Sequence, residues 1–150
     1  MKTMKTLLRD AGVTIASVLG AAISVHAAQV DGLPPEHTQG VASFVSGGVS
    51  DGEAQRFQAA FKRFPLIVEL YEHAGQRDEY TADADVRITD RHGNTVLDQR
   101  ADGPFMLVRL PAGDYTVSAS LKGRSLPEHK VHVTDSGHAH SVFVFPTNAG

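Results

Sequence analysis

Two hydrophobic periods divide the chain. Ala54, Phe57, Ala60, Phe61 and Phe64 recur at three- and four-residue spacing, and Gln55, Arg56, Gln58, Lys62 and Arg63 fall off that stripe. This is the period of an amphipathic helix. Ser50 followed by Glu53 has the spacing of a capping box, in which each side chain satisfies an unpaired N–H of the other. Pro65 stops the run. The pattern predicts a helix over residues 51–64 that docks Phe57, Phe61 and Phe64 on a sheet.

Beyond Pro65 the period changes to two. Leu66–Tyr71 is nearly continuous in apolar residues. Ala84, Val86 and Ile88 alternate with Asp85, Arg87 and Thr89, and Tyr115, Val117, Ala119 and Leu121 alternate with Thr116, Ser118 and Ser120. Turn residues at 90–94, 102–104, 111–114 and 135–137 separate these runs from Thr95–Arg100, Phe105–Leu110, Val131–Val133 and Ser141–Phe145. Short strands at this spacing predict a mainly β protein, a sandwich or barrel of seven strands. The last two runs are expected to form a hairpin in which Val133 faces Ala139. That register sets His132 opposite His140 on the outer face.

The N-terminus follows neither pattern. Lys2, Lys5 and Arg9 precede an uncharged stretch from Ala11 to Val25, and Val25-His26-Ala27 provides a cleavage site before Ala28. Basic, then apolar, then small is the order of a secretory signal peptide. The expected organisation is a signal peptide at 1–27, a flexible leader at 28–46 (rich in Pro and Gly), a helix-plus-sandwich domain at 47–146 and a tail at 147–150. The expected location is periplasmic or secreted, with no stable membrane insertion once the signal is cleaved. Removing Lys2, Lys5, Arg9 and Asp10 from totals of 14 basic and 17 acidic residues leaves 11 and 16, a net charge of −5. Such a chain has no electrostatic attraction to nucleic acid. The absence of Cys excludes disulfides, cysteine nucleophiles and thiolate metal sites.

Several residues together carry a likeness. Val86-Arg87-Ile88-Thr89-Asp90 is followed by Gly93 and Val96, Asp102-Gly103 by Phe105, and then come Leu110-Pro111-Ala112-Gly113-Asp114-Tyr115-Thr116-Val117, Gly123 and Val131-His132-Val133. The stretch 84–145 resembles the carboxypeptidase regulatory-like domain, a seven-stranded sandwich related to transthyretin. The resemblance implies an immunoglobulin/transthyretin-like β-sandwich that acts as a spacer, stabiliser or docking surface, without a reaction of its own. Within the Leu-Pro-x-Gly-x-Tyr run, Gly113 is expected to hold a positive φ. Tyr115 is expected to return its hydroxyl to the turn backbone, the tyrosine-corner device.

Motifs for catalysis fail on inspection. Gly123-Arg124-Ser125-Leu126 is followed by Pro127, not the Gly of a nucleophile elbow. Gly47-Gly48 lacks the Lys-Ser/Thr of a phosphate loop, and the helix carries no His. Histidine is the unusual feature, with four between 129 and 140. In the assumed hairpin, His132, His138 and His140 converge, and neutral imidazoles on neighbouring strands bind Zn²⁺ or Cu²⁺. A saccharide is a second ligand class, with Tyr71 and Tyr80 as its platform. The sequence therefore points to a non-enzymatic exported module that needs no cofactor. Its role would be to bind an envelope protein or ligand or to lend structural support, with low-affinity metal binding as the alternative. N-terminal sequencing of the exported protein should read from Ala28; an intact Met1 in the membrane pellet would contradict export.

Overall fold

The computed structural model describes residues 32–147; the expected signal peptide, the start of the leader and the end of the tail lie outside the described residues. These residues form two sheets and one α-helix. Its strands are β1 (His37–Gln39), β2 (Ala42–Gly47), β3 (Leu66–Ala74), β4 (Arg77–Tyr80), β5 (Asp85–Asp90), β6 (Thr95–Arg100), β7 (Phe105–Arg109), β8 (Gly113–Leu121), β9 (Arg124–Ser125), β10 (His129–Val133) and β11 (Ala139–Phe145). Helix α1 (Asp51–Ala60) continues as a 3-10 turn over Phe61–Arg63. The first sheet runs β1-β2-β7-β3-β11, with β4 beside the far half of β3, and the second runs β10-β8-β5-β6, with β9 beside β8.

The two sheets pack face to face. Leu66, Val68 and Leu70 of β3 and Met106 and Val108 of β7 meet Val86 and Ile88 of β5 and Val117 and Ala119 of β8 in one core. A second core lies on the other side of the first sheet. There Ala54, Phe57, Ala60 and Phe64 cover Val45, Ile67, Phe105 and Leu107, with Leu33 at the rim. The arrangement is helix, sheet, sheet. It explains why Leu66–Tyr71 is apolar at every position but Glu69: odd and even positions of β3 both face a core.

The helix forms where its pattern predicts. The Ser50 side chain accepts from the Glu53 N–H, and Asp51 and Glu53 sit in the first turn, where acidic groups suit the helix dipole. The chain can enter the helix so close to the sheet because two residues there lack side chains. Gly48 has φ 96°, and a Cβ on it would stand 2.3 Å from the Phe105 ring. A Cβ on Gly103 would meet the Gly47 carbonyl oxygen at 2.3 Å. At the other end, Arg109 donates to the Arg63 carbonyl at 2.6 Å and lies 4.1 Å over the Phe64 ring.

Four expectations are corrected. The leader anticipated over 28–46 is structured from its middle onward: β1 and β2 pair, β2 pairs β7, Leu33 is buried, and Glu36 accepts from Ser43 and Arg109. In β2, Phe44 faces the core between the sheets and Val45 the core beneath the helix. The described residues hold eleven strands where seven were anticipated, because short edge pieces such as β1, β4 and β9 carry no hydrophobic alternation. Gly113 begins β8 with the positive φ anticipated, but at 159° it is next to fully extended and a Cβ there would meet the Tyr115 ring at an ordinary 3.7 Å, so the turn does not use the left-handed conformation that would require glycine. Tyr115, by contrast, behaves as anticipated, donating to the Pro111 carbonyl at 2.8 Å. The fourth correction concerns Phe61, which is partly buried whereas Phe57 and Phe64 are fully so. Phe57→Ala should therefore cost about 3–5 kcal/mol and Phe61→Ala clearly less. Urea midpoints measure both, and equal losses would contradict this packing.

Candidate functional site

The histidine cluster does not assemble. β10 pairs antiparallel with β8, in the second sheet, while β11 pairs parallel with β3, in the first. The hairpin anticipated between them is absent, and His132 and His140 belong to different sheets. Hydrophobic alternation is the same for either pairing, which is why the sequence pattern suggested the wrong neighbour. His132 lies on the outer face of the second sheet with Nδ1 2.6 Å from Asp114 Oδ1. His138 precedes β11 and sets Nδ1 3.1 Å from the Phe64 carbonyl oxygen. His140 lies on the outer face of the first sheet. Among the described residues, no group of three or more His, Cys, Asp or Glu could hold a metal ion.

His140 instead belongs to a cluster that the sequence did not suggest. Its Nε2 lies 2.5 Å from Glu69 Oε2, and the Tyr71 hydroxyl donates to Glu69 Oε1 at 3.3 Å. Glu69 is 8% exposed, in the middle of the apolar run of β3. A buried carboxylate is costly unless paired and hydrogen-bonded, and here both oxygens have partners. Tyr71 and Tyr80 are cross-strand partners in β3 and β4, and their rings stack at 5.1 Å. Tyr80 meets the edge of Phe105 at 5.1 Å, Phe105 meets Phe61 at 5.7 Å, and Phe61 meets the His140 ring at 5.6 Å. These side chains close a circuit around Glu69. Gln58, on α1, donates to the Tyr80 hydroxyl at 3.0 Å and so joins the helix to the cluster.

The helix decides where this cluster opens. β3 is buried from Leu66 to Leu70 and emerges from Tyr71 onward. Tyr80 is 46% exposed, and Val142 and Val144 of β11 line the same face at 41% and 39%. The outcome is a rim of aromatic and aliphatic surface with an acid and an imidazole set into it. A single acid inside the otherwise apolar run Leu66–Tyr71 was the sequence signal for Glu69. Its two partners could not be read, because they come from positions two residues and 71 residues away in the chain.

The outer face of the second sheet differs in kind. A groove of about 640 Å³ runs past Asp90, Arg91, Asp114, Glu128, Lys130 and His132. Two of its carboxylates are already engaged, Asp114 by His132 and Asp90 by the backbone. Asp90 accepts from the His92 and Asn94 amides, and the Asn94 bond is the main reason its carboxyl is held below the ordinary range.

No protein-family model matches the chain, and no curated protein matches it.

Burial, followed by the Glu69 charge, raises the Tyr71 pKa, and burial, followed by the Asp90 charge, raises that of Tyr115. A phenol whose folded pKa is raised contributes stability that is fully present below its unfolded pKa, about 10, and is lost as pH climbs through the folded value. Absorbance titration at alkaline pH should show Tyr71 and Tyr115 ionising late, with Tyr71→Phe removing one late step. The urea midpoint should fall as pH rises beyond about 10. A single ionisation at the free-phenol value would contradict the burial of Tyr71 beside Glu69.

Proposed function

We propose that the protein is an exported, non-enzymatic binding module of the cell envelope, an immunoglobulin/transthyretin-like sandwich similar to carboxypeptidase regulatory-like domains. Its binding face is the outer face of the first sheet, and its ligand class is the saccharide. The observation that carries this reading is the Tyr71–Tyr80 stack beside Glu69 and His140. A half-exposed tyrosine ring offers a flat apolar face to the C–H side of a pyranose, and its hydroxyl offers a polar handle. Glu69, His140 and Gln58 supply acceptors and donors at the edge of that platform, which suits the hydroxyls of a sugar. Glu69 is already held by two partners, an arrangement that fits a fixed acceptor better than a proton shuttle. The basic residues of the N-terminal segment and the acidic balance of the remainder support export and argue against a nucleic-acid partner.

Tyrosine emission tests the reading directly, because the chain has three Tyr and no Trp. Titration with soluble N-acetylglucosamine and glucose tetrasaccharides should give a saturable change with at least one of them. Tyr80→Ala should weaken binding about tenfold or more, equivalent to about 1.4 kcal/mol, while Tyr80→Phe keeps most of it. No saturable change with either sugar, or binding unaffected by Tyr80→Ala, would overturn the saccharide assignment.

A further inference from the structure

Among the described residues, strand β11 ends the first sheet, and it differs from the other strands at sheet ends. Natural edges are blunted by charge, Pro, bulges or shortness. Among the described residues, β1 is three residues long, β4 is Arg-Asp-Glu-Tyr, β6 carries Asp98 and Arg100, and β10 carries Lys130. β11 is seven residues, Ala-His-Ser-Val-Phe-Val-Phe, with no Lys, Arg, Asp, Glu or Pro. Its pairing with β3 shows no register shift, and Val142 and Val144 stand exposed beside its edge.

The orientation of its backbone is fixed. The Ala139 N–H donates to the Pro65 carbonyl at 2.8 Å, so Ala139 points its hydrogen-bonding groups toward β3. Strand alternation gives Ser141, Phe143 and Phe145 the same direction and turns the N–H and C=O groups of His140, Val142 and Val144 toward the open edge. We propose that two copies of the chain join edge to edge through β11, antiparallel about a two-fold axis at Val142.

The sequence of β11 is self-complementary in that register. Val142 pairs with itself and His140 with Val144, so every edge-facing residue enters a hydrogen-bonded pair, giving about six bonds. On the inner face, small meets large: Ala139 lies opposite Phe145, and Ser141 opposite Phe143. A register centred on Phe143 would set the two Phe143 rings against each other and pair His140 with Pro146, which has no N–H to give. The two-fold axis is isologous and closed, so assembly stops at a dimer. The dimer also joins the two first sheets into one surface that presents both tyrosine platforms.

Sedimentation of the protein expressed from the full chain should show a concentration-dependent dimer. Val142→Lys sets two like charges directly opposite each other and should weaken association at least tenfold; Val49→Lys, at another exposed valine, should leave it unchanged. Circular dichroism checks that both variants fold. Because the chain has no Cys, a single introduced cysteine reports the register. Across the axis the Cα atoms of residue 142 would be about 5.5 Å apart, within disulfide reach, whereas those of residue 144 would be about 14 Å apart. Val142→Cys should therefore cross-link under mild oxidation, and Val144→Cys should not. A monomer at every concentration up to about 1 mM, a dimer indifferent to Val142→Lys, or equal cross-linking at both positions would overturn the proposal.

Discussion

Strand β3 has to bury both of its faces, and the other elements are placed where they make that possible. Leu66, Val68 and Leu70 point between the sheets, and Ile67 points toward α1. A two-layer sandwich would leave Ile67, Phe105 and Leu107 in water. The helix removes them, and its own stripe of Ala54, Phe57, Ala60 and Phe64 is buried in the same step. Each apolar face covers another, so neither the helix nor the first sheet is stable in this form alone. The flanking segments reinforce the contact. The glycines before the helix allow close approach, and Arg109 fastens the helix end to β7.

The length of the helix then sets the position of the candidate site. Ten residues of α-helix span about 15 Å, while the nine residues of β3 span about 30 Å. The helix and its 3-10 extension cover the first half of the strand and leave the second half open. Glu69 falls at the boundary. It is deep enough to require partners and close enough to the rim for Tyr71 and His140 to supply them. Tyr80 arrives by the short return of β4, which continues the line of β7 along the edge of β3. Aromatic surface, acid and imidazole are thus gathered where one covering layer ends, a common origin for binding surfaces on layered folds.

The sequence was most legible where one face is buried and the other is wet. Val86 and Ile88 in β5, and Tyr115, Val117 and Ala119 in β8, alternate cleanly and lie in the core between the sheets as their period requires. The capping box and the apolar stripe likewise specified the helix and its docking face. It was less legible where a strand has two buried faces or is short. Ala42–Gly47 falls within the expected leader because only Phe44 and Val45 in it are large and apolar, too few to show a period. Neighbour choice was illegible: the alternation of Ser141, Phe143 and Phe145 says which side is inward but not that the strand runs parallel to β3. That missing information separated His132 from His140 and delivered His140 to Glu69 instead.

The helix is a cooperative part of the first sheet, and the covered half of β3 and the opening at Tyr71 both follow from it. Native-state hydrogen exchange measures this. The amides of residues 67–70 in β3 and of residues 55–60 in α1 should exchange only through one shared opening, at the free energy of global unfolding. Helix amides that exchange freely while β3 remains protected would show a loosely held arm and contradict the three-layer arrangement on which the site depends.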